Sequence, residues 1–378
     1  MSSSGPASTI SLIGHPFAPI GCGESLRCSY RAFRSVAMRP GMVDVFGIHR
    51  PDDHARREFE PALTDKFGDV RIFHLNADEV DPALAHMGKR GFENGYNILY
   101  PYWELGVFPE AWRPQLERFD EIWAPSEFIA NALRERVDRP VHHLPTACEV
   151  EMSSLLSRRY FGIPESAYAF LFFFDFRSYA TRKNPRAVIE AFRHLLASRP
   201  TSNACLVIKV TGSEADPAAL ARLREDVRPF RNQILLIDAT VTDNEIKNLV
   251  RCCDCFVSLH RSEGFGRGLA EAMYLGKPVV ATGYSGNLDF MDADSALLVD
   301  YQLIPVLEGE YPHHAGQVWA DADVDLATAH MRRLVDDPRW GRELGQRASR
   351  MIRSRVGYRA VGMSYRRRLE QIRAGEDR

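Results

Sequence analysis

Apolar residues recur along this chain in two rhythms. Short solid runs fall at 9–13, 44–48, 70–75, 96–102, 121–124 and 141–144, then at 168–176, 204–210, 233–237, 255–259, 278–282 and 296–299. Runs of this length, bounded by Gly, Pro, Asn or Asp, predict strands buried on both faces. Between them lie stretches whose apolar positions sit three and four apart. These predict helices at 24–38, 126–136, 185–198, 217–227, 242–252 and 267–275, with Ser126 and Asn184 as caps. Strand and helix alternating in this way predict parallel sheets with helices on their faces. Residues 145–159 break the rhythm and read as a linker between two such domains. The tail beyond Asp325 is predicted to be mostly helical.

Composition narrows the classes of function. The 378 residues are enough for two domains with real cores. Hydrophobic residues at 45% and charged residues at 26% leave no disordered block. A net charge of −2 argues against general nucleic-acid binding, so no nucleic-acid partner is expected. No apolar run approaches a membrane span, and Met1-Ser2-Ser3-Ser4-Gly5-Pro6 lacks the charged and apolar parts of a signal peptide; a cytoplasmic protein is expected. The seven cysteines are scattered through apolar segments and predict reduced, buried thiols. Cys252-Cys253-Asp254-Cys255 has no second pair at zinc spacing, so no metal site is expected there.

Candidate chemistry collects where strands end. The run at 255–259 gives way to Ser262-Glu263-Gly264-Phe265-Gly266-Arg267-Gly268 and then to a helix stopped by Gly276, with Pro278 beyond. A glycine-rich turn that opens a helix aims backbone N–H groups and the positive helix end at an anion. Glu263 in that turn can reach a polar ligand or stand solvated. Glu271 lies among Leu269, Ala270, Ala272 and Met273, and a carboxylate there needs donors, either ligand hydroxyls or a core arginine. After the run at 168–176 come Arg177, Arg182 and Lys183, ahead of a helix amino terminus where the dipole favours acids. Cations there point to an external anion such as pyrophosphate. Lys209 near the next strand end can approach the same ligand or send its stem to solvent. In the first half, Gly21 and Gly23 form a G-x-G loop, either part of a nucleotide-type turn or plain turn glycines. Trp103 and Glu104 end another strand and suit a sugar face and its hydroxyls, or aromatic packing under a loop.

The stretch S-E-G-F-G-x-x-x-x-E-A-M followed by G-K-P-V-V-A-T resembles the Glu-x(7)-Glu signature of retaining glycosyltransferases of family 4. Y-W-E, then F-D-E-I-W-A-P-S, resembles the amino-terminal half of bacterial polysaccharide and O-antigen mannosyltransferases. The resemblance is most specific at 168–300 and looser before it. It implies an α/β chain with the GT-B fold, two Rossmann-like doubly wound domains facing a central cleft. Residues 1–152 would be the acceptor domain, 153–350 the nucleotide-sugar donor domain, and 351–378 a helix crossing back to the first domain.

The resemblance also assigns roles. Glu263 would orient the sugar and Glu271 the ribose, with Gly264, Phe265, Gly266, Lys209 and Asn287 around the donor. Arg177 and Lys183 match the family's R-x(5)-K and would hold the diphosphate. Arg182 falls outside that pattern and reads as a solvated surface residue. Gly21, Gly23, Trp103 and Glu104 fall on the acceptor side. The implied activity is transfer of a hexose, mannose in the relatives named, from a nucleotide-diphosphate sugar such as GDP-mannose to a carbohydrate or lipid-linked glycan acceptor. No cofactor and no metal are implied, and Asp292-Ala293-Asp294 and Asp321-Ala322-Asp323 read as solvated loops despite their D-x-D form. The arginine-rich tail at 365–378 either packs on the first domain or touches the inner membrane surface peripherally. Two other readings stay open: a GT-B sugar-nucleotide epimerase with Glu104 as its extra carboxylate, and a catalytically silent nucleotide-sugar or glycan-binding partner.

Overall fold

The structure is a computed structural model and describes residues 10–18, 20–47, 53–88, 91–200 and 203–375. The expected strand limits at Thr9 and Ile48, the leader reading at Met1 to Pro6 and the last three tail residues lie outside the described residues. The chain forms two compact units. One takes the chain through Cys148 and again from Arg355, and the other is Glu149–Ser354.

The first unit runs β1 (Ile10–Gly14), α1 (Gly21–Ser35), β2 (Gly41–Asp44), α2 (Asp53–Phe59), β3 (Val70–Phe73), α3 (Val80–Met87), β4 (Tyr96–Leu99), α4 (Arg113–Leu116), β5 (Glu121–Ala124), α5 (Glu127–Arg134) and β6 (Val141–His143). Its six strands are parallel, in the order β2-β1-β3-β4-β5-β6. Ser126 caps α5 as expected, its hydroxyl accepting from the Ile129 amide. Several boundaries differ from the sequence pattern; β4, for example, ends at Leu99 rather than Tyr102. The second strand ends at Asp44 rather than Ile48, because Phe46 leaves the sheet to stack on the His15 ring at 4.6 Å. The G-x-G pair lies inside the first turn of α1 rather than ahead of it.

The second unit contains β7 (Tyr168–Asp175), α6 (Ala180–Lys183), α7 (Pro185–Ser198), β8 (Ala204–Thr211), α8 (Pro217–Val227), β9 (Ile234–Asp238), α9 (Asp243–Cys252), β10 (Cys255–Ser258), α10 (Arg267–Tyr274), β11 (Val279–Thr282), β12 (Leu297–Val299), β13 (Tyr301–Pro305), β14 (Val318–Ala322), α11 (Val324–Asp336) and most of α12 (Pro338–Val356). Its main sheet is parallel in the order β12-β11-β10-β7-β8-β9. The solid apolar run of β7 is explained by its central place. Phe170, Phe172 and Phe174 pack on Val188 and Phe192 of α7, while Phe173 meets Phe256 of β10 on the opposite face. Each such ring contributes roughly 1.5–3 kcal/mol on burial.

The antiparallel pair β13-β14 escaped the sequence pattern. Its side chains Tyr301, Leu303 and Val318 are exposed, so no buried alternation marks it. Asp321 lies in β14, and Asp323 caps α11 by accepting from the Leu326 amide, so this D-x-D is strand end and cap rather than loop. All seven cysteines are buried. The chain returns to the first unit in α13 (Tyr358–Ala374), which packs along α1. Gly362 permits that contact, since a Cβ there would stand 2.2 Å from the Ala32 carbonyl oxygen. Arg368 of α13 is buried against the fully buried Glu121 at 2.6 Å, so the tail is only partly a solvated basic face. No helix among the described residues is long and apolar enough to cross a membrane.

Candidate active site

In the second unit, strand order reverses between β7 and β10, which are hydrogen-bonded neighbours. Loops leaving the carboxyl ends of such a pair splay to opposite faces and open a crevice, the usual ligand position in this type of sheet. Of the residues singled out by sequence, Arg177, Arg182, Lys183, Glu263, Gly264, Phe265 and Gly266 fall on these two connections. Asp175 ends β7, accepts from the Arg177 amide at 2.9 Å and takes the Arg177 guanidinium on both oxygens, at 2.7 and 3.0 Å. The Arg177 side chain nonetheless remains 49% exposed. After β10 the chain runs through His260 to Gly266, whose φ of +93° only glycine adopts easily, and opens α10. The Arg261 amide donates to the Arg182 carbonyl at 2.8 Å and ties the two loops together.

Glu263 is the electrostatic centre. Its carboxylate takes Lys183 Nζ at 2.5 Å on Oε1 and Arg182 Nη1 at 3.3 Å on Oε2. Burial by itself pushes this carboxyl up, but Lys183, then Arg182 and His260, outweigh it and bring it from the ordinary 4.5 down to about 2. Its backbone is held as well. The Glu263 amide donates to Ser285 Oγ at 2.8 Å, and the Gly286 amide donates to the Glu263 carbonyl at 2.9 Å. The loop after β11 therefore fixes the turn from a third side.

Strain gathers at the same place. Tyr179, Asn184 and Ser285 are non-glycine residues with φ of +64°, +54° and +76°. Each such residue costs on the order of 1–3 kcal/mol and persists where neighbouring bonds hold it, a pattern typical of ligand sites. Asn184 was expected to cap α7. It precedes Pro185 in a left-handed conformation, and its side chain makes no cap bond. Asn184 Nδ2 and Ser262 Oγ, which flank Lys183 and Glu263 in sequence, are buried polar atoms with no protein partner. Such atoms in a folded chain call for an explanation, and a polar ligand supplies one.

Two residues here were misjudged or missed by sequence. Arg182 was expected at the surface but is 3% exposed, donating to the carbonyls of Ser178 and Ser262 as well as to Glu263. Its burial follows from the short α6, which turns it inward beneath Tyr311 of the loop between β13 and β14. No family spacing flags it; its place between Tyr179 and Lys183 was the only signal. His260 is fully buried, and burial pushes its pKa down, so the imidazole is neutral at pH 7. It bonds Ser258 Oγ and Asn287 Oδ1, each at 3.1 Å.

The remaining second-unit candidates divide by burial. Asn287, expected beside the donor, is turned inward: it holds His260 and donates to the Thr282 carbonyl at 3.1 Å. Phe265 also points into the core, packing on Phe290 at 4.9 Å. Gly264 and Gly266 are buried in the turn, and Glu271 is buried in α10. Gly268 lets α10 approach the sheet, since a Cβ there would lie 2.8 Å from Phe173 Cζ. Lys209 of β8 is 7% exposed, so its stem does not run to solvent. Burial lowers its pKa, and Asp175 opposes that shift. The charges thus form two groups: Arg177 and Lys209 act with Asp175, with Glu214 also acting on Arg177, while Lys183 and Arg182 hold Glu263.

The first unit has its own reversal, between β1 and β3. Gly23 sits there of steric necessity, its Cβ position being 2.5 Å from the Ala18 carbonyl oxygen, whereas Gly21 faces open space. Trp103 is buried, donates to the Val107 carbonyl at 2.9 Å and packs on Trp112 and Phe108. Its ring is therefore loop packing and not a platform for a sugar. Glu104 is half-buried; with Glu79 and Asp78 it adds to the burial that raises the Cys22 thiol. His15, absent from the sequence candidates, follows β1 and bonds Glu79 at 2.8 Å.

Two doubly wound parallel sheets of this kind place the chain in the GT-B fold class. Residues 163–302, which contain all the second-unit groups above except Tyr311, match the family model of glycosyl transferases group 1. No curated protein sequence matches the chain. Among solved structures, HepE of Anabaena in complex with UDP and glucose is 14% identical, with a TM-score of 0.67 over 96% of this chain and 99% of that one. Sucrose-phosphate synthase of Thermosynechococcus elongatus is 16% identical, with a TM-score of 0.68 over 98% and 100%. A glycosyltransferase of Rickettsia africae is 11% identical, with a TM-score of 0.65 over 97% and 98%. The chain has the fold of these glycosyltransferases.

Proposed function

We propose that this protein is a retaining glycosyltransferase that moves a hexose from a nucleoside-diphosphate sugar to a carbohydrate or lipid-linked glycan acceptor in polysaccharide synthesis. The observation that carries this reading is the meeting of Lys183, Arg182 and Glu263 at the strand-order reversal, on the connection that also carries Arg177. A glycosyl transfer breaks the bond between the anomeric carbon and the diphosphate oxygen, and negative charge grows on the departing diphosphate. In this reading Arg177 and Lys183 take that charge, and the first-turn amides of α10 add to it. With two fixed cations and a helix end for this task, the reading requires no metal and no cofactor. Lys183 has to exchange part of its bond to Glu263 for the ligand, which leaves Glu263 to accept hydroxyl protons from the sugar. Glu271 would accept from the ribose.

The base and sugar are separate questions. The sequence resemblance favours a guanosine donor such as GDP-mannose, whereas HepE is solved with UDP and with UDP-glucose. A thermal-shift panel of UDP, GDP, dTDP and ADP with their sugars, on wild type and Glu271→Ala, tests the reading. A ligand at one hundred times its Kd stabilises by about 2.7 kcal/mol. Selective stabilisation by one diphosphate, lost in the variant, is expected. If no nucleotide shifts the wild type, the donor reading fails. If one binds but donor is neither transferred nor hydrolysed, the protein is a silent nucleotide-sugar binder.

A further inference from the structure

The first unit carries a cationic groove that the proposed transfer does not use. It is an open groove of about 300 Å³ at β6, the edge strand of the first sheet, between the end of α5 and α13. A water molecule's share of liquid volume is roughly 30 Å³, so the space exceeds what one or two ordered waters fill. Its polar wall is formed by Arg134 of α5, His142 and His143 of β6, and Ser364, Arg367 and Gln371 of α13, with Arg368 at its base. Every one of these side chains can donate a hydrogen bond, and none is a carboxylate.

The charges nearby cancel only in part, and Glu121 also lies 3.8 Å from His142. Arg368 is neutralised by Glu121, which also accepts from Tyr96 and Trp123, so this pair is structural. Arg134 is paired with Glu127 at 2.5 Å, and the same carboxylate lies 3.5 Å from His143. Arg367 is exposed and makes no hydrogen bond or ion pair among the described residues. An uncommitted guanidinium therefore faces a groove whose other donors come from three separate elements. A planar carboxylate satisfies donors along one edge. A tetrahedral phosphate presents three oxygens in different directions and fits donors arriving from α5, β6 and α13.

We propose that this groove binds a phosphate group, either of a free phosphate or phosphomonoester or of a lipid headgroup. The proposal is independent of the transferase reading, because all its residues belong to the first unit. The test uses the full chain as wild type, Arg367→Ala and Lys183→Ala. Inorganic phosphate is titrated calorimetrically, and flotation is measured with phosphatidylcholine vesicles with and without phosphatidic acid. Loss of one charge-assisted contact is expected to weaken binding roughly tenfold in Arg367→Ala while Lys183→Ala keeps it. Arg367 has no bond to lose, so the variant folds, and Arg367→Lys is expected to recover part of the affinity.

Arg367-dependent binding of inorganic phosphate would assign a free phosphate. Arg367-dependent binding only to phosphatidic-acid vesicles would assign a headgroup. Equal binding by wild type and Arg367→Ala, or binding in neither format, would overturn the proposal. So would phosphate binding lost in Lys183→Ala and kept in Arg367→Ala, which places the anion in the second unit.

Discussion

Replacing Lys183 by methionine tests the physics of the site and its function in one variant. In the wild type, burial raises the Glu263 carboxyl and Lys183 is the largest force bringing it down, from 4.5 to about 2. At 1.36 kcal/mol per decade of acidity, that depression corresponds to about 3 kcal/mol of stability. A carboxyl depressed in the folded state contributes that stability fully above its unfolded pKa and loses it as pH falls through the folded value. The wild type should therefore hold it throughout pH 5 to 7.

Methionine keeps the length and apolar stem of the side chain and removes the charge. Arg182 remains, but at 3.3 Å it is the weaker partner, and the burial cost of Glu263 is offset less. The carboxyl then moves up. The variant should be less stable by about 2–3 kcal/mol at pH 7. As pH falls towards 5, protonation of Glu263 relieves the unpaired buried charge, and the gap from wild type should narrow. Chemical denaturation of both proteins at pH 7, 6 and 5 measures the gap. Parallel stability curves, with the gap unchanged across that range, would refute the electrostatic account of Glu263. The same variant should lose roughly 100- to 1,000-fold in turnover, the loss typical when one group meeting developing charge is removed. Near-normal turnover would sink the transferase role of Lys183 while leaving the stability argument standing.

Two further predictions concern packing. Gly268→Ala puts a Cβ 2.8 Å from Phe173 Cζ, in a ring cluster fixed by Phe256, and should destabilise the second unit by about 1–3 kcal/mol; denaturation midpoints within error of wild type would contradict the close approach. Arg368→Met should destabilise by about 3–5 kcal/mol by leaving Glu121 buried and unpaired. Adding Glu121→Gln should restore part of that loss, and a double variant as unstable as the sum of the two singles would show the pair is not coupled.

Much of the architecture is legible in sequence because a strand buried on both faces has to be apolar without interruption. The runs at β7, β8, β10 and β11 were found within a residue or two for that reason. The β13-β14 pair was invisible because the side chains of β13 are mostly exposed and the buried positions of β14, Trp319, Ala320 and Ala322, do not alternate. The glycine-rich turn was legible as well, since positive φ at Gly266 and close helix approach at Gly268 each demand glycine in a local order. Trp103 shows the limit. An aromatic at a strand end looks alike whether it faces a ligand or packs beneath a loop, and only its contacts with Trp112 and Phe108 distinguish the two.

What the sequence by itself determined is therefore the alternating α/β pattern, the division into two units and the local motifs that gather at strand ends. What only the tertiary structure decided is which charges meet. Lys183 and Glu263 are eighty positions apart, and Arg182 reads as surface until α6 turns it inward. Asn287 reads as a ligand residue until His260 is found bonded to it. The physical reason is that pairing, burial and the resulting shift of the Glu263 carboxyl depend on distances across neighbouring strands. Those distances follow from sheet order, which no local pattern of residues encodes.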